Sequence, residues 1–345
     1  MKNFIKKTLV FLSPFIILQS FTLIMYTTDK GDLMRMAEVY DFFPNYRSGL
    51  VNEIAGKKYF NIIDDINVKN QKIDYFLIGD SFTNDDNGYK NYLGYLSNEK
   101  VSNLNSELVI NINPFESLSA LAETNFFKNN NVKYVILESV ERYLFDRVNN
   151  FNKNIKYTKT EVIEDNRVDH HLRLTDTEFP NKTIFTFPYH TISYILNKEK
   201  IDKVCRLDTN KELFSINKKE ILLYQDDVSS SSENNKPEIA TKLNDLLNKI
   251  DAELKKQNVK LIFLPAPDKL NAYYDNIINK NHFEKPIILE KLEKLPKNYI
   301  YVNPIQTIKE YNKNTKNVDF YYYDDTHWSY NGAKEVAKQI INAVK

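Results

Sequence analysis

Two short stretches of the chain carry side chains suited to nucleophilic catalysis. In the first, Ile78-Gly79-Asp80-Ser81-Phe82, a serine follows an apolar run. In the second, residues 323–332, His327 comes two positions after Asp325 and three after Asp324. A serine nucleophile needs a base that takes its proton, and the base needs a carboxylate that fixes its tautomer and stabilises the imidazolium. Ser81, His327 and one of the two aspartates therefore predict a serine nucleophile that the histidine activates.

The elements that must position these residues alternate between strand and helix. Apolar runs predict five strands, at 74–79, 108–112, 133–137, 259–264 and 299–302, and helical spacing predicts helices at 114–127, from 237 and at 332–344. This alternation is typical of βαβ units and a parallel sheet. Ser81 then lies at the carboxyl end of a strand, where such sheets bind ligands, and near a helix N-terminus whose free N–H groups can stabilise an oxyanion.

The strand–helix rhythm is absent from two regions. Residues 143–236 show no regular period and end in the polar tract 229–236, which predicts an irregular insertion with a solvated loop. Residues 31–71 are mixed and polar, which predicts a stalk. The expected organisation is therefore an anchor at 1–30, a stalk at 31–71, a catalytic domain formed by 72–142 and 237–345, and an insertion at 143–236.

The segment from Thr8 to Thr28 contains no charged residue and is long enough to cross a bilayer as a helix. Three lysines, Lys2, Lys6 and Lys7, precede it, which predicts an N-terminus in the cytoplasm and an extracytoplasmic domain, periplasmic or at the cell surface. A cleaved signal peptide is the alternative. An uncleaved signal-anchor is favoured because the apolar run exceeds the usual length of a signal peptide and ends without small residues.

Composition excludes several classes of function. The balance of 47 basic and 46 acidic residues argues against a nucleic-acid binder. A single cysteine, Cys205, excludes an intramolecular disulfide and a cysteine-based zinc site. No glycine-rich phosphate loop is present, so no nucleotide cofactor is expected. The triplet Asp169-His170-His171 lacks a distant fourth ligand, and no metal site is predicted from it.

Taken together, the Gly-Asp-Ser stretch and the Asp-His stretch before the last helix resemble the SGNH (GDSL-type) hydrolase superfamily. The Asp-Thr-His-Trp sequence at 325–328 is similar to the alginate O-acetyltransferase-like branch, as are residues 135–142 and 261–273. The resemblance implies a three-layer αβα flavodoxin-like fold with a five-stranded parallel sheet. The wider superfamily's Asp-x-x-His spacing selects Asp324 as the partner of His327, and the acetyltransferase branch selects Asp325, which we prefer.

The sequence departs from the superfamily where the oxyanion hole is expected. The Gly-x-Asn-Asp block that supplies an asparagine donor in many members does not follow the third strand. The backbone N–H of Ser81 and the side chain of Asn113 are the candidate donors. Arg142 is a candidate for binding an anionic group or the oxyanion, and its alternative is a salt bridge with Glu138 or Glu141.

These residues and the resemblance predict a membrane-anchored O-acetyltransferase that modifies hydroxyls of a cell-surface or secreted polysaccharide. The resemblance implies a multi-pass membrane acyltransferase partner that supplies acetyl groups across the bilayer. Two alternatives remain open: a carbohydrate esterase that removes acetyl groups, and a catalytically idle glycan-binding assembly protein.

Overall fold

A parallel β-sheet forms the centre of the computed structural model, which describes residues 1–27, 30–109, 113–156 and 182–345. The strands, in chain order, are β1 (Phe60–Ile63), β2 (Tyr75–Ile78), β3 (Val101–Leu104), β4 (Tyr134–Val140), β5 (Lys200–Ile201), β6 (Val204–Asp208), β7 (Glu220–Tyr224), β8 (Lys260–Ala266) and β9 (Ile300–Tyr301). Within the described residues the main sheet has six strands, in the order β1-β3-β2-β4-β8-β9, and every neighbouring pair is parallel.

Helices cover both faces of this sheet. In chain order they are α1 (Lys2–Met25), α2 (Asp32–Met36), α3 (Ser81–Asn84), α4 (Tyr89–Ser97), α5 (Pro114–Ala122), α6 (Phe126–Asn129), α7 (Leu144–Asn149), α8 (Thr183–Ile195), α9 (Gln225–Asn234), α10 (Pro237–Lys255), α11 (Lys269–Tyr273), α12 (Ile288–Glu293), α13 (Pro304–Tyr311) and α14 (Tyr330–Ala343). Leu77 of β2 packs into a core cluster with α4 and α14, whereas Phe76 and Ile78 pack into a second cluster with α5 and α10. Because both faces are buried, the central strands appear in sequence as continuous apolar runs. The predicted α/β architecture with a parallel sheet is confirmed.

The prediction of five strands is wrong, because the segment expected to be a stalk contributes a sixth. β1 pairs with β3 at the edge of the sheet, and Leu33, Val39 and Ile54 are buried in the core. Two residues of β1, Asn61 and Ile62, are exposed, so this edge strand lacks the apolar run that identifies a central strand. Residues 31–71 are therefore part of the folded domain.

The second predicted strand is displaced along the chain. Leu108 ends a short 3-10 turn, and residues 110–112 of the predicted strand lie outside the described residues. The strand that lies between β1 and β2 is β3, in which the polar residues Ser102 and Asn103 are buried. Because two of its four residues are polar and adjacent, this strand lacks the apolar pattern from which strands are predicted in a sequence.

The region predicted as an irregular insertion contains regular elements. In its described part, β5, β6 and β7 form a small antiparallel sheet. Residues 229–234 of the serine-rich tract belong to α9, where Ser231 and Asn234 are buried, so the prediction of a solvated loop is wrong there. Asn234 donates to the carbonyl of Glu141 and accepts from the backbone of Phe145, which attaches α9 to the main domain.

The N-terminal helix α1 is 24 residues long and apolar enough to cross a membrane by length and composition, and little of its surface is buried by the rest of the protein. At a rise of about 1.5 Å per residue, it is roughly as long as a bilayer core is thick.

Candidate active site

Ser81 is the first residue of α3 and lies just beyond the carboxyl end of β2. Gly79 makes this tight turn possible. A side-chain Cβ at position 79 would lie 2.5 Å from the hydroxyl of Thr83 and 2.6 Å from a carboxylate oxygen of Glu138. Because the turn after β2 packs directly on β4, there is no room for a side chain at position 79, and glycine is required there.

The carboxylate of Asp80, next to Ser81, holds the turn in place. Asp80 accepts a 2.8 Å hydrogen bond from the backbone N–H of Val140, at the end of β4. Its two oxygens also receive both terminal nitrogens of Arg147, one of them at 2.6 Å. This two-pronged ion pair is mostly buried and restricts where the backbone of Ser81 can lie.

His327 is presented by a backbone turn that precedes α14. The N–H of Tyr322 donates to the His327 carbonyl at 3.1 Å, and the N–H of Ser329 donates to the Phe320 carbonyl at 2.9 Å. Inside this turn the buried ammonium of Lys269 donates to three backbone carbonyls, those of Tyr322, Tyr323 and Asp325, at 3.0–3.2 Å. Lys269 therefore acts as an internal cross-link of the loop.

Ser81, His327 and Asp325 form a continuous hydrogen-bonded chain. The Ser81 hydroxyl lies 2.7 Å from Nε2 of His327, and Nδ1 of His327 lies 2.6 Å from a carboxylate oxygen of Asp325. The same oxygen accepts the backbone N–H of His327 at 3.0 Å. With the proton of neutral His327 on Nδ1, Nε2 is available to accept the serine proton. The ring of Phe82 packs against the imidazole at a centroid distance of 4.7 Å and limits its rotation.

Asp324 has a different set of partners. Its carboxylate accepts the N–H of Gly31 at 3.1 Å, and its backbone carbonyl accepts the N–H of Leu33 at 3.0 Å. A Cβ at Gly31 would overlap the carbonyl oxygen of Asp324, so the two segments meet backbone to backbone. In this geometry Asp325 contacts the histidine, and Asp324 holds the segment after α1 against the loop.

Comparison with known proteins gives one match. Residues 221–345 match the family described as an SGNH hydrolase-like domain, acetyltransferase AlgX. Over these residues the chain is similar to the AlgX-type SGNH hydrolase-like domain. The resemblance seen in the sequence is thereby confirmed. The matched segment contains Asp325 and His327, whereas Ser81 lies before it. No curated protein and no solved structure shows a significant match.

Two further residues, Asp32 and Arg47, contact this group and were not predicted from the sequence. The Asp32 N–H donates to Asp325 at 3.2 Å, and the Asp32 carboxylate lies 3.5 Å from Nδ1 of His327. Arg47 donates to the carboxylates of both Asp325 and Asp324, and its guanidinium stacks over Tyr322. Both residues belong to the segment predicted as a stalk, where no periodicity or motif marks them.

These charges influence the protonation of His327 and Asp325. Burial of the His327 ring opposes protonation, but the charge and hydrogen bond of Asp325, together with the charges of Asp32 and Asp85, raise its pKa to about 9. Burial also disfavours ionised Asp325, yet His327 and Arg47 hold the pKa of this carboxyl well below its ordinary value. At neutral pH the resting site is therefore an imidazolium–carboxylate pair, and the free base forms as the pH rises.

The other two predicted site residues make structural contacts. The side chain of Asn113 accepts the N–H of Phe115 at 3.1 Å and caps α5. Arg142 donates to Asp268 at 2.8 Å and to Asp227 at 3.0 Å, and all three side chains are buried. The prediction of an ion pair for Arg142 was right in kind, but Glu138 and Glu141 were the wrong partners.

A cavity of about 210 Å³ opens beside the imidazole. Its lining combines carboxylates, a guanidinium and phenol rings, supplied by Asp32, Asp85, Asp325, Arg47, Tyr322 and Tyr330. Ligand atoms of Asp32, Asp325 and His327 lie within 4.8 Å of one another. This set does not suit a metal ion, because Nδ1 is bonded to Asp325 and Arg47 already neutralises that carboxylate. The triplet 169–171 lies outside the described residues.

Proposed function

We propose that the protein is a membrane-anchored O-acyltransferase that acetylates hydroxyl groups of a cell-surface or secreted polysaccharide. The observation that carries the proposal is the hydrogen-bonded series Ser81–His327–Asp325, in which the histidine lies 2.7 Å from the serine hydroxyl and 2.6 Å from the aspartate oxygen. The C-terminal part of the protein, residues 221–345, matches the AlgX acetyltransferase family. Serine, base and carboxylate meet with the spacing that nucleophilic catalysis requires.

The proposed reaction has two half-steps. Nε2 of His327 takes the proton of the Ser81 hydroxyl, whose oxygen attacks the acetyl carbonyl, and the protonated histidine returns the proton to the leaving group of the donor. A sugar hydroxyl then loses its proton to the same nitrogen and attacks the acetyl-serine, and Ser81 regains a proton. Asp325 stabilises the imidazolium formed in each half-step.

The oxyanion formed in each half-step needs hydrogen-bond donors. The backbone N–H of Ser81 belongs to the first turn of α3, where N–H groups have no partner within the helix. We assign it as one donor. Asn113 caps α5 through its side-chain oxygen, which leaves its amide N–H groups as candidate donors. The guanidinium of Arg142 is held by two carboxylates, which does not favour an oxyanion role.

The short connection between α1 and the site supports a membrane-bound acetyl donor. Asp32, which faces His327, follows Met25, the last residue of α1, by seven positions. Seven residues span at most about 25 Å, so the reacting serine stays close to the end of the helix. If α1 spans the bilayer with its lysine-rich N-terminus in the cytoplasm, the site faces the outer surface, where a multi-pass acyltransferase partner can deliver acetyl groups.

A carbohydrate esterase is the second candidate function. Ser81 is exposed, so water also has access to an acetyl-serine. Transfer and hydrolysis use the same triad and differ only in the acceptor that reaches the acyl-enzyme.

The test is an acetyl-ester assay on the full-length protein in detergent, with and without an oligosaccharide acceptor. For a transferase we expect acetylated oligosaccharide, and for an esterase only acetate, at a rate that the acceptor does not change. Ser81→Ala should lower either activity by at least about 10³-fold. Ser232→Ala, at an exposed position of α9, is the matched control and should retain activity. Equal rates for wild type and Ser81→Ala would support the catalytically idle alternative.

A further inference from the structure

Helix α8 presents a stripe of large apolar side chains to solvent. Four of them, at successive turns, are Phe185, Tyr189, Ile192 and Ile195, and Leu196, the residue after the helix, extends the stripe; each has between 47% and 66% of its surface exposed. The opposite face, which includes Phe187 and Tyr194, is buried. Monomeric soluble proteins rarely leave such a contiguous apolar strip in water, so the strip indicates an interaction surface.

The strip is continuous with the helix proposed to span the membrane. Ring contacts join Phe15 to Phe185 at 6.1 Å and Tyr26 to Phe187 at 5.5 Å between centroids. These contacts place the N-terminal half of α8 against α1 between Phe15, near the middle of the helix, and Tyr26, just after its end. A lipid surface that surrounds α1 at this depth also reaches the exposed face of α8.

Basic residues lie at both ends of the strip. Lys182 precedes α8, and Lys198, Lys200 and Lys203 follow it, all with exposed side chains. Lys200 and Lys203 line a cavity of about 450 Å³ together with Tyr189 of the strip, His190 and Asp202. An apolar helix face flanked by lysines is the pattern of helices that lie in the interface of anionic membranes. Two carboxylates, Glu199 and Asp202, lie among these lysines and offset part of their charge.

We propose that α8 is a second membrane contact of this protein. Its exposed strip enters the leaflet from which α1 emerges, and Lys198, Lys200 and Lys203 contact the phosphates of anionic phospholipids. The proposal rests on α1 as a membrane span and is independent of the acyl-transfer chemistry. Two contacts fix the orientation of the domain, whereas a single helix would leave it free to rotate about a tether. The triad is then held at a constant height above the bilayer.

Site-directed fluorescence in vesicles tests this contact. The full-length chain with Cys205→Ser carries one new cysteine, labelled with an environment-sensitive dye, and is reconstituted in phosphatidylcholine–phosphatidylglycerol vesicles. The test position is Ile192→Cys. Ile17→Cys, on the exposed surface of α1, reports insertion of the anchor, and Ser232→Cys reports a solvated surface.

The dye at position 192 should be quenched by lipids carrying a doxyl group on the acyl chain, as at position 17, and should be at least about threefold less accessible to iodide than the dye at 232. Its lipid quenching should decrease when phosphatidylglycerol is omitted or when Lys200 and Lys203 are changed to glutamate. Lipid quenching at 17 together with full iodide access at 192 would overturn the proposal. The proposal would also be overturned if the dye at position 192 were protected from iodide in native membranes but not in the lipid vesicles, because a protein and not lipid would then cover the strip. No quenching at 17 would reject the anchor itself, and acyl transfer is measured separately.

Discussion

Asp32 places a second carboxylate beside His327, 3.5 Å from its Nδ1. Burial and the charge of Asp325 raise the pKa of Asp32, but His327, Arg35 and Arg47 oppose this, and its 2.5 Å ion pair with Arg35 favours the charged form. A charged Asp32 stabilises the imidazolium in the resting enzyme. Replacing Asp32 with asparagine should therefore lower the pKa of His327 and make the free base available at lower pH.

The pKa of His327 limits how much the Asp32→Asn substitution can increase the neutral fraction of the histidine. With a pKa of about 9, only about 1% of the histidine is neutral at pH 7, whereas at the ordinary value of 6.5 about 75% would be neutral. The difference corresponds to about 3 kcal/mol in favour of the imidazolium. Removing Asp32 while Asp325 remains should recover part of it. We expect kcat/KM at pH 7 to rise several-fold, with a ceiling of about 75-fold.

The assay is hydrolysis of a chromogenic acetyl ester between pH 6 and 10, with Ser81→Ala as the blank for spontaneous hydrolysis. Wild-type kcat/KM should rise about tenfold per pH unit below pH 8 and level off above pH 9, since the base must be neutral. In Asp32→Asn the midpoint should move to lower pH. Asp245→Asn, at an exposed position of α10, is the matched control and should keep the wild-type midpoint. An identical midpoint in Asp32→Asn and wild type would refute the reasoning, whatever the absolute rates.

Three further substitutions separate catalytic from structural roles. Asp325→Asn should lower kcat on the same ester by about 10⁴-fold, and Asp324→Asn by less than about tenfold; equal losses would contradict the assignment of Asp325. Arg142→Gln leaves buried carboxylates unpaired and should lower the free energy of unfolding in urea by about 3–5 kcal/mol, with no change in the kinetic pH midpoint. Burial and the charge of Asp80 raise the pKa of Glu138 to about 8, from 4.5 in the unfolded chain. The stability that protonated Glu138 contributes is complete below pH 4.5 and is lost as the pH rises through 8. Between pH 5 and 8, Tm should therefore fall less in Glu138→Gln than in wild type. Parallel curves of Tm against pH for the two proteins would argue against a protonated Glu138.

The central strands could be predicted from the sequence because each is apolar on both faces. β2, β4 and β8 lie between two helical layers, and each contains an apolar run, although β4 continues into Glu138 and Ser139. The edge strand β1 and the partly polar β3 do not have this pattern. Edge strands are buried on one side at most, and the polar residues of β3 are buried in the fold. Their strand identity comes from the pairing partner and not from local composition.

Ser81, His327 and Asp325 could likewise be predicted from the sequence as members of the site. Ser81 follows a recognisable strand, and His327 and Asp325 are two positions apart in the chain, so type and spacing identify them. The choice between Asp325 and Asp324 depends on the turn that Lys269 cross-links, which sequence spacing does not describe. Arg47 approaches the two aspartates from a position about 280 residues away in the chain, with no motif around it.

The sequence by itself determined the chemical inventory of this protein: a serine, a histidine, two candidate carboxylates, an apolar N-terminal helix and a parallel α/β core. These follow from local patterns, because residue type, short spacing and hydrophobic period are properties of neighbouring positions. Only the tertiary structure decided which carboxylate meets the histidine, that Asp32 and Arg47 set its charge, and that the supposed stalk is part of the domain. Those facts depend on segments far apart in sequence that are brought within hydrogen-bond distance, where burial and neighbouring charge set each group's protonation.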